Sequence, residues 1–487
     1  MGRKSQIRLA LPVRVGPSRM VSVNDSFADV ASRMWQTICA DNDSADLQAA
    51  QLTTSGPRAV LRAAFDVTGL ATGAVAVATV AAAQFLAARS QSKQPVVTVD
   101  SRESRAAFAS ERLFTPIGWT RPPMWDPIAG NYRAADAWIR LHTNYASHRA
   151  AVERVLGAHD QEAVQAAVAG LRAEELETAI VEAGGCAAVM HNRGQWLASA
   201  PGMATADAAP LTVVERYSYG AGTPDSVGQL PFDGVRVLDL TRVIAGPVCT
   251  KFLAGYGADV LRIDPPGFDE VPSLLPETTL GKRTAALDLT ASSDRATFEE
   301  LLAGADVLVS GLRADALKRL GYDDEALTPM NPGLIIASLD AYGWDGPWRH
   351  RRGFDSLVQM SCGIADDGAT ATGQAEPAPL PVQALDHATG WLLAAAVARA
   401  LTRRLTHSMA ARIQGSLIGT ANLLYSLPLP DDHLAVPTPE DFALVATTTD
   451  WGPAQRVPLP GRIDGVPAHW SQQAGPLGRH PATWATR

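Results

Sequence analysis

The 487-residue sequence is poor in cysteine, with only Cys39, Cys186, Cys249 and Cys362. They lie far apart, with no Cys-x-x-Cys pair and no metal-ligand spacing. That excludes a disulfide scaffold and predicts small buried thiols, no metal and a reducing, cytoplasmic setting. A long basic run is also missing: 42 Lys and Arg face 50 Asp and Glu, for a net charge of −8. Nucleic acid is therefore not the expected partner. The basic start Met1-Gly-Arg-Lys4 is followed by Pro12 and Arg14, which interrupt the apolar stretch that a secretory leader would need. Residues 69–88 lack charge over about the length of a bilayer span. The stretch is mostly alanine, with Thr72, Thr79 and Gln84, so a buried helix and no membrane crossing is expected.

What is present begins at Val235-Arg-Val-Leu-Asp-Leu240, followed by Thr241-Arg-Val-Ile-Ala-Gly-Pro247 and Gly257-Ala-Asp-Val-Leu-Arg-Ile-Asp264. This reads as strand, loop, helix and strand, one βαβ unit with its first strand apolar on both faces. Pro247 suits a first helical turn. The loop is too glycine-poor for a dinucleotide fingerprint, and no Gly-Lys-Ser/Thr follows it. Strands are predicted at 235–240, 258–263, 284–289, 306–310 and 333–338, with helices at 247–256, 295–304 and 313–320. The alternation predicts an α/β fold with an open, mostly parallel Rossmann-like sheet. A linker is read at 218–225, where glycine and proline cluster.

Order and spacing of motifs then carry a resemblance. They are Gly234-Val-Arg-Val-Leu-Asp-Leu-Thr-Arg242 with Ala245-Gly-Pro247, Ile263-Asp-Pro-Pro-Gly267, Gly281-Lys-Arg-Thr-Ala-Ala-Leu-Asp-Leu289, Leu320-Gly-Tyr322, Asn331-Pro-Gly-Leu-Ile-Ile-Ala-Ser338, Gly353-Phe-Asp355 and Asp386-His-Ala-Thr-Gly390. Together they resemble the large domain of the family III CoA transferases, the carnitine-CoA and formyl-CoA transferase group that includes α-methylacyl-CoA racemase. Tyr132-Arg-Ala-Ala-Asp-Ala-Trp-Ile-Arg-Leu141 resembles the strand opening the family's smaller α+β domain, and helices are expected near 147–157, 160–171 and 173–184. Ala71-Thr-Gly73 before an alanine-rich helix, and Val97-Thr-Val-Asp-Ser101 after it, resemble the region around Ala388-Thr-Gly390. Residues 60–110 and 380–425 are thus read as a diverged repeat.

The organisation this implies is a rearranged tandem fusion. Residues 1–225 form a degenerate copy holding the end of a large domain and a small domain at about 115–210. Residues 226–425 form the large domain, and 426–487 a tail returning to it. Family members form interlocked homodimers, so a homodimer or an internally fused pseudo-dimer is expected.

The resemblance implies that Asp386 attacks an acyl-CoA thioester, forming a mixed anhydride and then an aspartyl-CoA thioester. A carboxylate suits that covalent role. Asp386 precedes an apolar helix, whose macrodipole is expected to keep it ionised; by residue type alone it also reads as an N-cap. The four residues before Gly73 end on Gly69, so one working site per chain is expected, with Asp66 a nearby carboxylate. By the same resemblance, Val243, Ala245, Asp264, Lys282 and Arg283 hold CoA. Lys282 or Arg283 would meet phosphate and Asp264 a ribose hydroxyl or the turn before Pro265. Arg319, Phe354 and Asp355 complete the expected contacts. No cofactor is held permanently: coenzyme A and acyl-CoA are substrates, with a carboxylic acid as CoA acceptor. The family's racemases carry a histidine where this chain has Phe354, which favours the transferase. His350 and His387 keep the racemase open as an alternative, and a catalytically silent CoA-binding subunit is a third. No glycine-rich lid of the formyl-CoA transferase kind is present to shield an anhydride from water.

Overall fold

Val237, Leu238, Asp239 and Leu240 are buried on both faces, as a central strand of a covered parallel sheet requires. The computed structural model that shows this describes residues 26–40, 47, 51–58, 64–218, 228–429 and 443–485. The expected linker at 218–225, apart from Ser218, lies outside the described residues, as do Met1, Pro12 and Arg14. In chain order the first strands are β1 Leu52–Ser55, β2 Val97–Asp100, β3 Thr115–Pro116, β4 Gly130–Arg133, β5 Trp138–Leu141, β6 Ala187–Val189 and β7 Leu211–Tyr217. Then follow β8 Arg236–Leu240, β9 Asp259–Asp264, β10 Lys282–Ala286, β11 Val307–Ser310, β12 Ile335–Asp340 and β13 Met409–Ser416. The tail supplies β14 Val445–Thr449, β15 Gly452–Arg456 and β16 Arg462–Ile463.

The main sheet has the order β10-β9-β8-β11-β12-β13-β7. All neighbours are parallel except β7, which runs antiparallel along β13. The chain therefore has an α/β fold with an open, mostly parallel sheet. The third strand begins two residues before its predicted start, because Lys282 is accommodated inside by Asp239 rather than left in a loop. The helix expected at 313–320 is one turn, Ala316–Arg319, stopped at Gly321 with φ +85.

The smaller α+β domain packs the sheet β4-β5-β6 against helices Ala146–Leu156, Gln161–Ala169 and Ala173–Glu182. Its core joins Ile128, Tyr132, Ile139, Val152, Val164 and Ile180. The single strand expected over 132–141 is a hairpin, closed by the Ala134 N–H on the Ala137 carbonyl at 2.9 Å.

The uncharged stretch lies in helix Val67–Ser90, long and apolar enough to cross a membrane, with 89% of its most apolar window buried inside the fold. It packs along helix Ala384–His407, which leads from Asp386 into the core. The two helices correspond closely. Each has 24 residues and ends on a left-handed residue, Gln91 in one and Ser408 in the other. Each enters from a residue of matching backbone, Asp66 (φ −76, ψ 68) and Gln383 (φ −75, ψ 64). Each uses its Ala-Thr-Gly glycine for a helix crossing. A methyl on Gly73 would lie 2.8 Å from Met34 Sδ of helix Phe27–Ile38, and one on Gly390 2.3 Å from the Ala245 carbonyl of helix Ala245–Gly255.

The surrounding strands follow the same pattern. Parallel β1 and β2 receive antiparallel β16, just as parallel β12 and β13 receive antiparallel β7. Each half thus places a late strand on the other half's sheet. The tail also covers the edge of the main sheet, where His480 bonds Thr284 through its amide (2.8 Å) and its ring (3.0 Å).

Candidate active site

A cavity of about 270 Å³ opens where the chain leaves β8 and helix Ala384–His407 begins. Val243, Ile244, Val271, Leu274, Phe354 and Asp386 line it from the C-terminal half, and Glu111, Met124, Trp125 and His142 from the N-terminal half. Val243 holds φ +63, a left-handed backbone unusual for a β-branched residue, so the loop after β8 carries local strain at the cavity wall.

Asp386 sits in the first turn of its helix and is 7% exposed. It does not cap that helix. Asp355 does so from outside, its Oδ2 accepting from the backbone N–H groups of Leu385 (2.8 Å) and Asp386 (3.0 Å). Gln359 donates to the other oxygen of Asp355 and accepts from the Leu380 N–H at 2.7 Å. The helix's orphan donors are thus satisfied, and the Asp386 carboxyl is left to the cavity. The expected macrodipole effect does not prevail. Burial, then the charge of Asp355, then that of Glu111 push the Asp386 carboxyl well above the usual carboxylate range. Burial also raises Asp355, to about 6.

His387 turns away from the cavity wall. Its Nε2 meets Glu111 Oε2 at 3.0 Å, and its ring stacks on Phe108. His350 is exposed and accepts from the Arg349 side chain. The imidazole that does line the cavity is His142, 4% exposed, stacked face to face on Phe354 with centroids 3.7 Å apart. Burial, then the charges of Arg140 and His148, hold it well below its ordinary pKa, so it is neutral. Its Nδ1 has no partner among the described residues.

The remaining expected contacts divide. Val243, Phe354 and Asp355 line the cavity, whereas Ala245 is buried where its helix crosses Gly390. Lys282 and Arg283 are not brought to it. They stand near the starts of β9 and β10, while ligands of parallel sheets bind beyond the strands' carboxyl ends. Lys282 is wholly buried and held by Asp239 at 2.9 Å, and Arg283 forks onto Asp259 at 2.9–3.1 Å. Asp264 spends its carboxylate on Arg262 (2.8 and 3.2 Å) and Arg242 (3.3 Å), neither capping the following turn nor facing open space. Arg319, half exposed beside Asp315, lies past the carboxyl end of β11 with Arg313. Burial, then the charges of Arg352 and Arg319, lower the Arg313 guanidinium, which marks a local excess of positive charge.

Glu111, Trp125 and His142 escaped sequence reasoning because they come from the other half of the chain, some 240 to 280 residues from Asp386. Only the fold joins them. The corresponding place in the N-terminal repeat is filled differently. Asp66 Oδ1 accepts from the Gly69 N–H at 2.7 Å while Arg58 holds its other oxygen at 3.2 Å. A Cβ on Gly69 would fall 2.2 Å from Asp66. Gly69→Ala should therefore displace a buried cap and lower stability by about 1–3 kcal/mol, read from a denaturant midpoint. An unchanged midpoint would show that the cap is dispensable.

Residues 232–443 match CoA-transferase family III. Acetyl-coenzyme A transferase nodX of Hypoxylon pulicicidum is 35% identical over 191 residues, covering 38% of this chain and 32% of the relative. The probable fatty acyl-CoA transferase Rv3272 of Mycobacterium tuberculosis is 33% identical over 211 residues, 41% of this chain and 53% of the relative. Formyl-CoA:oxalate CoA-transferase of Rhodopseudomonas palustris is 32% identical over 199 residues, 38% of this chain and 46% of the relative. A crystal structure of the Mycobacterium tuberculosis protein, 33% identical, covers 39% of this chain and 56% of that one at a TM-score of 0.37. The chain thus spans about a third to a half of the length of these relatives, and the match falls on its C-terminal half. What the chain shares with CoA-transferase family III is its residues 232–443.

Proposed function

We propose that the protein is a CoA transferase that moves CoA from an acyl-CoA thioester to a carboxylic acid, with Asp386 as its nucleophile. The observation that carries this reading is Asp355: by taking over the cap of the helix, it leaves the Asp386 carboxyl uncommitted at the cavity wall. In its ionised form one Asp386 oxygen attacks the thioester carbonyl, the C–S bond breaks and CoA leaves as thiolate. The thiolate then attacks the aspartyl carbonyl of the mixed anhydride, giving the aspartyl-CoA thioester and releasing the original acid. The acceptor carboxylate attacks that thioester and expels the thiolate. The thiolate finally takes the acceptor's acyl carbon and returns Asp386 as a carboxylate. Met124, Ile244, Val271 and Leu274 give the acyl group an apolar wall, and Arg313 and Arg319 offer cations for CoA phosphates.

The cavity's mixed parentage, together with the reciprocal placing of β7 and β16, supports a tandem fusion in which one chain reproduces a two-copy arrangement with one nucleophile. The four unpaired cysteines suit a cytoplasmic setting.

Incubation with an acyl-CoA and hydroxylamine, followed by peptide mass spectrometry, should yield an aspartyl hydroxamate at Asp386. Acyl-CoA turnover with no hydroxamate there would overturn the covalent reading. Attack needs the ionised carboxyl, so labelling should slow as pH falls, with its acid limb above the ordinary carboxylate value of about 4. A limb at or below that value would contradict the environment described for Asp386. His142 favours one second reading, an acyl-CoA racemase in which it and Asp386 exchange the α-proton. Deuterium uptake at the α-carbon without the hydroxamate would select it.

A further inference from the structure

The cavity has an electrostatic problem that the transferase reading makes acute. Glu111 and Asp355 line it beside Asp386, and once Asp386 carries the thioester the acceptor has to enter as a third carboxylate. Glu111 is matched by His387, and Asp355 by the helix N–H groups and Gln359, but nothing among these contacts offers a charge to the incoming anion. Like charges in a water-poor site repel strongly unless a cation is supplied.

Among the described residues lining the cavity one Lys or Arg occurs, Arg112. It comes from the short helix Ser110–Leu113 of the N-terminal half, next to Glu111. Its side chain remains exposed and makes no ion pair among the described residues. One guanidinium nitrogen donates to the carbonyl of Pro381, in the segment leading into the Asp386 helix. That contact fixes the group at the cavity wall and spends one of its five N–H donors, leaving a fork able to take a carboxylate through two hydrogen bonds.

We infer that Arg112 is the acceptor-binding residue of this site, holding the free carboxylate that receives CoA while Asp386 carries the thioester. The inference rests on the transferase reading and draws the nucleophile and the anion-binding cation from different halves of the chain. Asp386 comes from the C-terminal half, the cation for the acceptor anion from the N-terminal half. Loss of Arg112 should then spare the first half-reaction and damage the second.

The test compares the wild-type chain with Arg112→Gln and Arg112→Lys. Asp386 labelling is measured with acetyl-CoA, succinyl-CoA and octanoyl-CoA in the presence of hydroxylamine. CoA transfer to acetate and to succinate is then followed from whichever thioester labels the wild type. The expected result is unchanged labelling in both variants, an unchanged KM for the thioester, and an acceptor KM raised about tenfold or more in Arg112→Gln. Arg112→Lys should recover part of that loss, because it keeps the charge but not the fork. An unchanged acceptor KM in Arg112→Gln overturns the inference, as does a loss of labelling equal to the loss of transfer. Labelled wild type that transfers to neither acid also overturns it. Wild type that none of the three thioesters labels overturns the transferase reading itself, a distinct failure.

Discussion

Asp386→Asn should abolish hydroxamate formation and lower CoA transfer by about a thousandfold or more, the scale on which loss of a covalent nucleophile is felt. An amide of the same shape fills the same space but cannot form the anhydride. The same change should leave the fold as stable as before, or make it more stable. Asp386 is buried beside Asp355 and Glu111, and removing its charge relieves repulsion without unmaking a cap. A functional group held against its own electrostatics commonly shows this trade between activity and stability. Circular dichroism melts beside the labelling assay would reveal it. An active Asp386→Asn enzyme would remove Asp386 from the chemistry, and an inactive but unfolded one would contradict the environment described for it.

The opposite pattern is expected at Lys282. Its ammonium is wholly buried against Asp239, which also accepts from the Thr241 amide (2.8 Å), the Thr241 hydroxyl (2.6 Å) and the Thr250 hydroxyl (2.6 Å). Lys282→Met keeps the volume but strands a carboxylate in the core, at a cost of about 3–5 kcal/mol. Lys282→Met with Asp239→Leu should recover part of that cost, since no uncompensated charge remains. Arg283→Met, in contrast, breaks a partly exposed pair (13% and 22% side-chain exposure) and should cost less than Lys282→Met. Denaturant midpoints for these three variants beside the wild type decide the matter. A Lys282→Met chain with native stability and weakened CoA binding would return Lys282 to the phosphate role that its sequence context suggests.

Lys282 also illustrates what the sequence conceals. The Gly281-Lys-Arg283 motif announces cations at the start of a strand, but not their partners. Here Asp239 of β8 takes Lys282 and Asp259 of β9 takes Arg283. The parallel strands themselves were legible, because β8, β9, β11 and β12 are short apolar runs spaced by helical crossovers. Asp386 was legible through the motif around it. The cap supplied by Asp355 was not, since it joins two elements thirty residues apart through backbone donors that have no sequence signature. His142 and Arg112 were further out of reach. Neither lies in a motif, and both come from the N-terminal half, which only the tertiary fold brings to the site.

That packing sets a condition on synthesis. The ribosome makes β1 and β2 within the first hundred residues, but their antiparallel neighbour is β16, at Arg462–Ile463. Until the last residues emerge, β2 has one unpaired edge, and its helix Val67–Ser90 waits for helix Ala384–His407 to cover it. Contacts this distant in sequence carry a large loop-closure cost and slow the search. The β13 edge has no such delay, because β7 is already made when β13 appears. The β1-β2 sheet is therefore completed only after β13 and β7 can pair, although its own strands are translated first.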